Sequence, residues 1–335
     1  MGDLGKRGWV ARILVIAGAT GTTIACGTAS TTENDAGASD AAGDANDAGD
    51  APAFADVAQQ DAIEEPPPTV RRPFLVGSAM RAAEPSARDD WSDVLPPADD
   101  LDGETRAALA RAWLDDALQE HASIAAFARF SMMMLSVSAP PDLVAGSQRA
   151  SLDEVRHARA CFSLARRYGA GPSGPADLRV DDAMAPLSLA ELAALTAEEG
   201  CVGETLGALL AEEQAARATD PVAAEILERI ARDEARHAEL AWRFVAWAVA
   251  RGGEDVARAV RGAIARATKA TLAMEIRPLR VSAEAWAAHG RLTCAESRAI
   301  AERGIAEIVE PAARALGSRR AGDLLDGVRL AHPFD

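Results

Sequence analysis

The hexapeptide Asp-Glu-x-Arg-His-Ala occurs twice in this chain, at Asp153 to Ala158 and Asp233 to Ala238, each copy the same distance beyond a proline, Pro141 or Pro221. A glutamate and a histidine three residues apart share one face of an α-helix about one turn apart, so both can reach the same metal ion. Two such helices, each helped by a glutamate from another helix, give the ligand set of a two-metal site inside a helical bundle. A single Glu-x-x-His on an alanine-rich helix arises readily by chance and sits on a solvated face. Two copies in register weigh against that reading.

The supporting glutamates are sought on the seams of the other helices. Trp113, Ala117, Glu120, Ile124, Phe127 and Ser131 follow one another at four- and three-residue steps, the spacing of a buried stripe. Glu120 interrupts that stripe, and a buried carboxylate is costly unless a partner such as a cation offsets it. Leu143, Ser147, Ala150, Glu154, His157, Cys161 and Leu164 form the matching seam of the second helix. The third helix offers two candidates. Glu199 lies on the seam Leu192, Leu195, Val202, Leu206 and Leu209. Glu204 lies about as far from the turn near Pro221 as Glu234 does, at the same height in an antiparallel hairpin. Glu204 ranks first and Glu199 second, and Gly200 and Gly203 allow a local deformation between them. His121, next to Glu120, points away from the same site and reads as a neighbour of the site or a surface residue.

The fold class is all-α. Alanine, leucine, glutamate and arginine dominate from residue 104 onward, aromatic residues are only 4% of the chain, and no run alternates as a strand does. Breakers at Ser138 to Asp142, Gly169 to Pro175 and Thr219 to Pro221 give two short connections around a longer one. A bundle over 103–252 is expected, followed by a C-terminal extension, 253–335, with helices near 254–275 and 295–316 outside it. His289 and His332 read as surface residues.

The order Glu120, Glu154 with His157, Glu204, Glu234 with His237 on four consecutive helices resembles the ferritin-like superfamily of ferritins, rubrerythrins and di-iron oxidases and oxygenases. Gly203-Glu204-Thr205 is similar to the third-helix ligand segment of rubrerythrins. The resemblance covers about residues 105 to 250. It implies a ferritin-like four-helix bundle with extra C-terminal helices and two iron ions, manganese being open at either position. Glu154 and Glu234 would bridge, and Glu120, Glu204, His157 and His237 would be terminal ligands. It also implies oxygen or peroxide as partner for a di-iron oxidase, peroxidase or oxygenase. Two other classes stay open: oxidation and sequestration of ferrous iron, and a non-catalytic envelope scaffold with a structural or vestigial site. A homodimer is an open assembly state.

Location is read from the first hundred residues. Lys6, Arg7 and Arg12 flank an apolar stretch ending in Thr23-Ile24-Ala25-Cys26, too short to span a membrane. It resembles a bacterial lipoprotein signal, 1–26, with Cys26 as the lipidated residue. The expected product is exported to the cell envelope and lipid-anchored to a bacterial membrane, facing periplasm or exterior. Residues 27–102 are rich in alanine, aspartate, glycine and proline and hold most of the net charge of −16, so a disordered linker is expected. Nothing in the remainder forms a basic stripe with interleaved aromatics, which argues against nucleic acid. No Cys-x-x-Cys is present, so the rubredoxin-type iron centre of many rubrerythrins is missing, and the resemblance then implies an external electron donor. Cys161 and Cys201 read as buried inert thiols, and Tyr168, three turns beyond His157, is poorly placed for a radical at the site.

Overall fold

In a computed structural model of the protein, residues 7–18, 72–77, 79–98 and 101–318 are described. They are mostly helical. Helix α1 spans Gly8–Ala17. Two short strands, β1 (Leu75–Val76) and β2 (Ala79–Met80), pair antiparallel, and β3 (Pro85–Ala87) pairs with β4 (Ser173–Pro175) much farther along the chain. Helix α2 runs over Gly103–Ser136, with Asp102 accepting from the Thr105 amide at 2.8 Å as its N-cap. Helix α3, Pro141–Ala165, starts with a proline in its first turn, where the missing N–H is not needed.

A third long helical stretch is built of α4 (Leu189–Thr196), a π-helical segment (Ala197–Glu204) and α5 (Thr205–Arg217). Ser188 and Glu191 form a reciprocal capping box at its start. Helix α6 spans Pro221–Ala273, capped by Asp220 and bent at Gly253, whose φ of 65° needs a residue without Cβ. The non-helical backbone of Gly253 breaks the helical run at the expected boundary between 252 and 253, and a second helical stretch continues to Ala273. Beyond it come α7 (Ala283–Ala288), α8 (Cys294–Gly304), a π turn (Ile305–Val309) and α9 (Glu310–Ser318).

Helices α2 and α3 pack along their lengths, α6 packs against α3 and against all three parts of the third stretch, and α8 leans on α5. Trp113, Phe127, Leu143, Phe162, Leu164, Trp242 and Phe244 are fully buried between them. The C-terminal helices join the same core through Ile300, Ile305, Ile308 and Val309. No helix among the described residues is long and apolar enough to cross a membrane.

Two expectations need correction. The linker was expected to be disordered to Asp102, and no strand was expected; residues 72–77 and 79–98 instead lie ordered over α2 and α3. They are held less by an apolar face than by polar anchors. Ser163 Oγ accepts from the Asp93 amide at 2.9 Å, Arg167 donates to the Pro96 carbonyl at 2.6 Å, and Phe74 is the main apolar plug. Such anchors have no sequence period. The second correction is His289, which is buried rather than on the surface. Its Nδ1 lies 3.0 Å from the Tyr168 hydroxyl, beside the bidentate Arg167–Asp220 pair. His332 and Cys26 lie outside the described residues. So do most of the expected signal and linker, while α1 is seen docked on α6, the π turn after α8, and α9.

Candidate metal centre

The six side chains singled out by the repeat and the seams converge. Glu120 comes from α2, Glu154 and His157 from α3, Glu204 from the end of the π segment, and Glu234 and His237 from α6, and all are buried. Ligand atoms of Glu120, Glu154, His157 and Glu234 lie within 4.8 Å of one another, as do those of Glu204, Glu234 and His237. Glu234 is common to both groups. Glu154 also reaches both, because its Oε1 is 3.1 Å from His237 Nδ1 while its Oε2 is 3.8 Å from His157 Nδ1.

The remaining letters of the repeat acquire a purpose that its spacing alone did not reveal. His157 Nε2 lies 3.1 Å from Asp233 Oδ2, and His237 Nε2 lies 3.2 Å from Asp153 Oδ2. Each histidine is thus held by the aspartate of the other copy. Arg156 and Arg236 in turn pair with Asp153 and Asp233 one turn back on their own helices, and Arg236 also approaches Asp153 at 3.5 Å. An aspartate on Nε2 favours the Nε2–H tautomer and leaves the Nδ1 lone pair facing the glutamates, the arrangement that metal-ligating histidines use. The retention of Asp and Arg in both copies was the available sequence signal.

The charges in the cluster compensate one another. Burial works against a charged His157 ring, but Asp233 and Glu154 outweigh it and raise its pKa to about 10. His237 is raised to about 10 in the same way, with Asp153 and Glu154 opposing burial. Burial lifts the Glu204 carboxyl to about 7, helped by the charges of Glu154 and Glu120. Glu234 is pushed up by burial and by Glu204 and Glu154, and it hydrogen-bonds Glu204. Glu154 is the exception: burial is overcome by the two imidazoles and it is held low.

The choice on the third helix turns on the π segment. Residues five apart diverge on an α-helix but fall on nearly one face when the turn widens to π, so Glu199 and Glu204 both point inward. Only Glu204 joins the cluster. Glu199 accepts from Arg129 at 2.7 Å and lies 3.5 Å from Arg72; burial pushes its carboxyl up and the two guanidinium groups pull it back. A cavity of about 290 Å³ between β1, α2, α4 and Arg266 is walled by Arg129 on this side, and none of the six converging residues lines it.

Of the other residues considered, His121 is half-buried edge-on to Trp91 at 5.3 Å, outside both groups, and burial lowers its pKa. Cys161 and Cys201 are buried free thiols, and burial pushes Cys201 well above its ordinary pKa, away from the reactive thiolate. Comparison with protein-family models, with curated proteins and with solved structures finds no match.

Proposed function

We propose that the chain is a ferritin-like di-iron protein of the cell envelope, with iron or manganese held by Glu120, Glu154, His157, Glu204, Glu234 and His237, and that it is a redox enzyme acting on oxygen or peroxide. The observation that carries this reading is a set of four buried atoms making no hydrogen bond: Glu154 Oε2, His157 Nδ1, Glu204 Oε1 and Glu234 Oε2. A buried polar atom left unpaired costs about 1–3 kcal/mol. Four within two adjoining groups are hard to reconcile with a purely structural cluster and easy to reconcile with two cations.

The donor set fits the metal. Four carboxylates and two imidazoles, with no thiolate among them, suit iron or manganese. Bound there, such a pair supplies electron exchange with oxygen or peroxide. The chain's own part is to hold the donors in place and keep the site dry. Asp153 and Asp233 fix the two rings, Glu154 and Glu234 reach both halves and would hold both ions, and Phe127 stacks edge-on to His237 at 5.0 Å on that side of the site. Reducing equivalents come from an external donor. The N-terminal pattern of basic residues, short apolar stretch and Cys26 supports export and lipid anchoring on a bacterial membrane.

The experiment is anaerobic loading of the chain with ferrous iron followed by air or peroxide. About two irons per chain and a new visible absorption are expected. The His157→Ala/His237→Ala variant is expected to lose two-metal binding while remaining helical by circular dichroism. Unchanged iron content in that variant refutes the ligand assignment.

A further inference from the structure

The two halves of the cluster are not supported alike. The half built on Glu120 and His157 rests on α2, α3 and, through Glu234, α6. The half built on Glu204 and His237 is backed, through Phe127 and the π segment, by a residue from outside all the long helices. Arg72, ahead of β1, is only 3% exposed. Its guanidinium lies over the rings of Phe127 at 4.5 Å and Phe130 at 4.8 Å, and Phe127 is the ring packed on His237. Its Nη2 is 3.5 Å from Glu199, and a Cβ placed on Gly200 would come within 3.2 Å of its Nη1. Both neighbours belong to the π segment that ends in Glu204. Its backbone is tied down as well, since Ser123 Oγ donates to the Arg72 carbonyl at 2.7 Å.

A buried guanidinium needs compensation. Glu199 already pairs with Arg129, so two arginines share one carboxylate and positive charge is in excess beside an acidic cluster. A planar cation stacked on two aromatic faces is a role lysine cannot copy in full.

We propose that Arg72 is a positioning residue for the Glu204–His237 half of the centre, fixing the π segment through Glu199 and the His237 ring through Phe127. The proposal rests on the two-metal reading above. It assigns a functional task to a segment whose composition reads as linker, and it makes the centre depend on a strap that crosses the helices rather than on the helices alone.

The test is an anaerobic Co(II) titration of the full chain, followed by its visible absorption, for wild type, Arg72→Met and Arg72→Lys. Wild type is expected to take two ions per chain. In Arg72→Met the first ion should bind as in wild type and the second about 10-fold or more weaker, the usual size of a lost supporting contact. At one ion per chain its spectrum should overlay that of His237→Ala rather than His157→Ala. Arg72→Lys should recover part of the loss. Two ions bound by Arg72→Met as in wild type, or both weakened equally in a helical protein, overturn the proposal. If Arg72→Met does not fold, Arg72→Lys and Glu199→Gln decide: a weaker second ion with the first intact supports it, and no change overturns it. Wild type taking up no Co(II) removes the metal reading itself and the proposal with it.

Discussion

Replacing Gly200 by alanine isolates the contact that sets the third helical stretch against α6. A Cβ at that position would lie 2.5 Å from the Ala241 Cβ and 3.2 Å from Arg72 Nη1. Carbon atoms rest about 3.5–4.0 Å apart, so a separation of about 1 Å is forced. No rotamer change relieves it, because both carbons are fixed to helical backbone. Alanine gains about 1 kcal/mol over glycine in a helix interior, while overpacking costs about 1–3 kcal/mol. The net is a destabilisation of up to about 2 kcal/mol, with Glu204 displaced from Glu234. Gly262 in α6 supplies the control, since its only neighbour within reach of a Cβ is the flexible Arg266 Nη1 at 3.5 Å. Gly262→Ala should therefore stabilise by about 1 kcal/mol. Urea denaturation followed by circular dichroism reads both as shifts in midpoint at constant slope. A Gly200→Ala chain as stable as Gly262→Ala would refute the close approach of the two helices.

Further outcomes follow from the crossed aspartates and from the charges. Asp153→Ala strips the partner from His237, in the other copy of the repeat, and should weaken the ion on Glu204, Glu234 and His237 about 10–100-fold while sparing the one at His157; a titration in which the His157 half suffers instead contradicts the crossing. In protein freed of metal with a chelator, His157, His237 and Glu204 bind protons more tightly folded than unfolded, so stability must fall as pH rises. The histidine contribution is complete below 6.5 and lost as pH passes about 10, and the Glu204 contribution is lost between 4.5 and about 7. The denaturation midpoint of the chelated protein should be lower at pH 9 than at pH 6, and an increase speaks against the charge arrangement. With a divalent ion present the trend should reverse, because metal and protons compete for the same atoms.

What the sequence disclosed depended on how local each feature was. Glu154, His157, Glu234 and His237 were legible because helical periodicity within one segment puts them on one face. Glu120 was legible because a carboxylate stands out on an apolar seam. The rivalry of Glu199 and Glu204 came from assuming a single helical period, whereas the π segment brings both inward and only their partners tell them apart. Asp153 and Asp233 were overlooked because each serves the opposite helix, and Arg72 because polar anchoring over a neighbouring surface leaves no pattern in its own segment. His289 was misplaced for the same reason: its burial depends on Tyr168, far away in sequence, and on a turn whose Gly290 adopts a φ of 76°.

The docking of α1 bears on processing. Trp9, Val10, Ile13, Ile16 and Ala17 are covered by the body, Trp9 donates to Glu212 at 2.6 Å and Arg12 to Glu239 at 2.8 Å. If the chain is processed as proposed, cleavage before Cys26 would strip that cover and leave an apolar furrow rimmed by Glu212 and Glu239, an adhesive face that the uncleaved chain lacks. Sedimentation of residues 26–335 beside the full chain is expected to show concentration-dependent association in the shorter protein alone; a strictly monomeric shorter chain would mean that the furrow closes on itself.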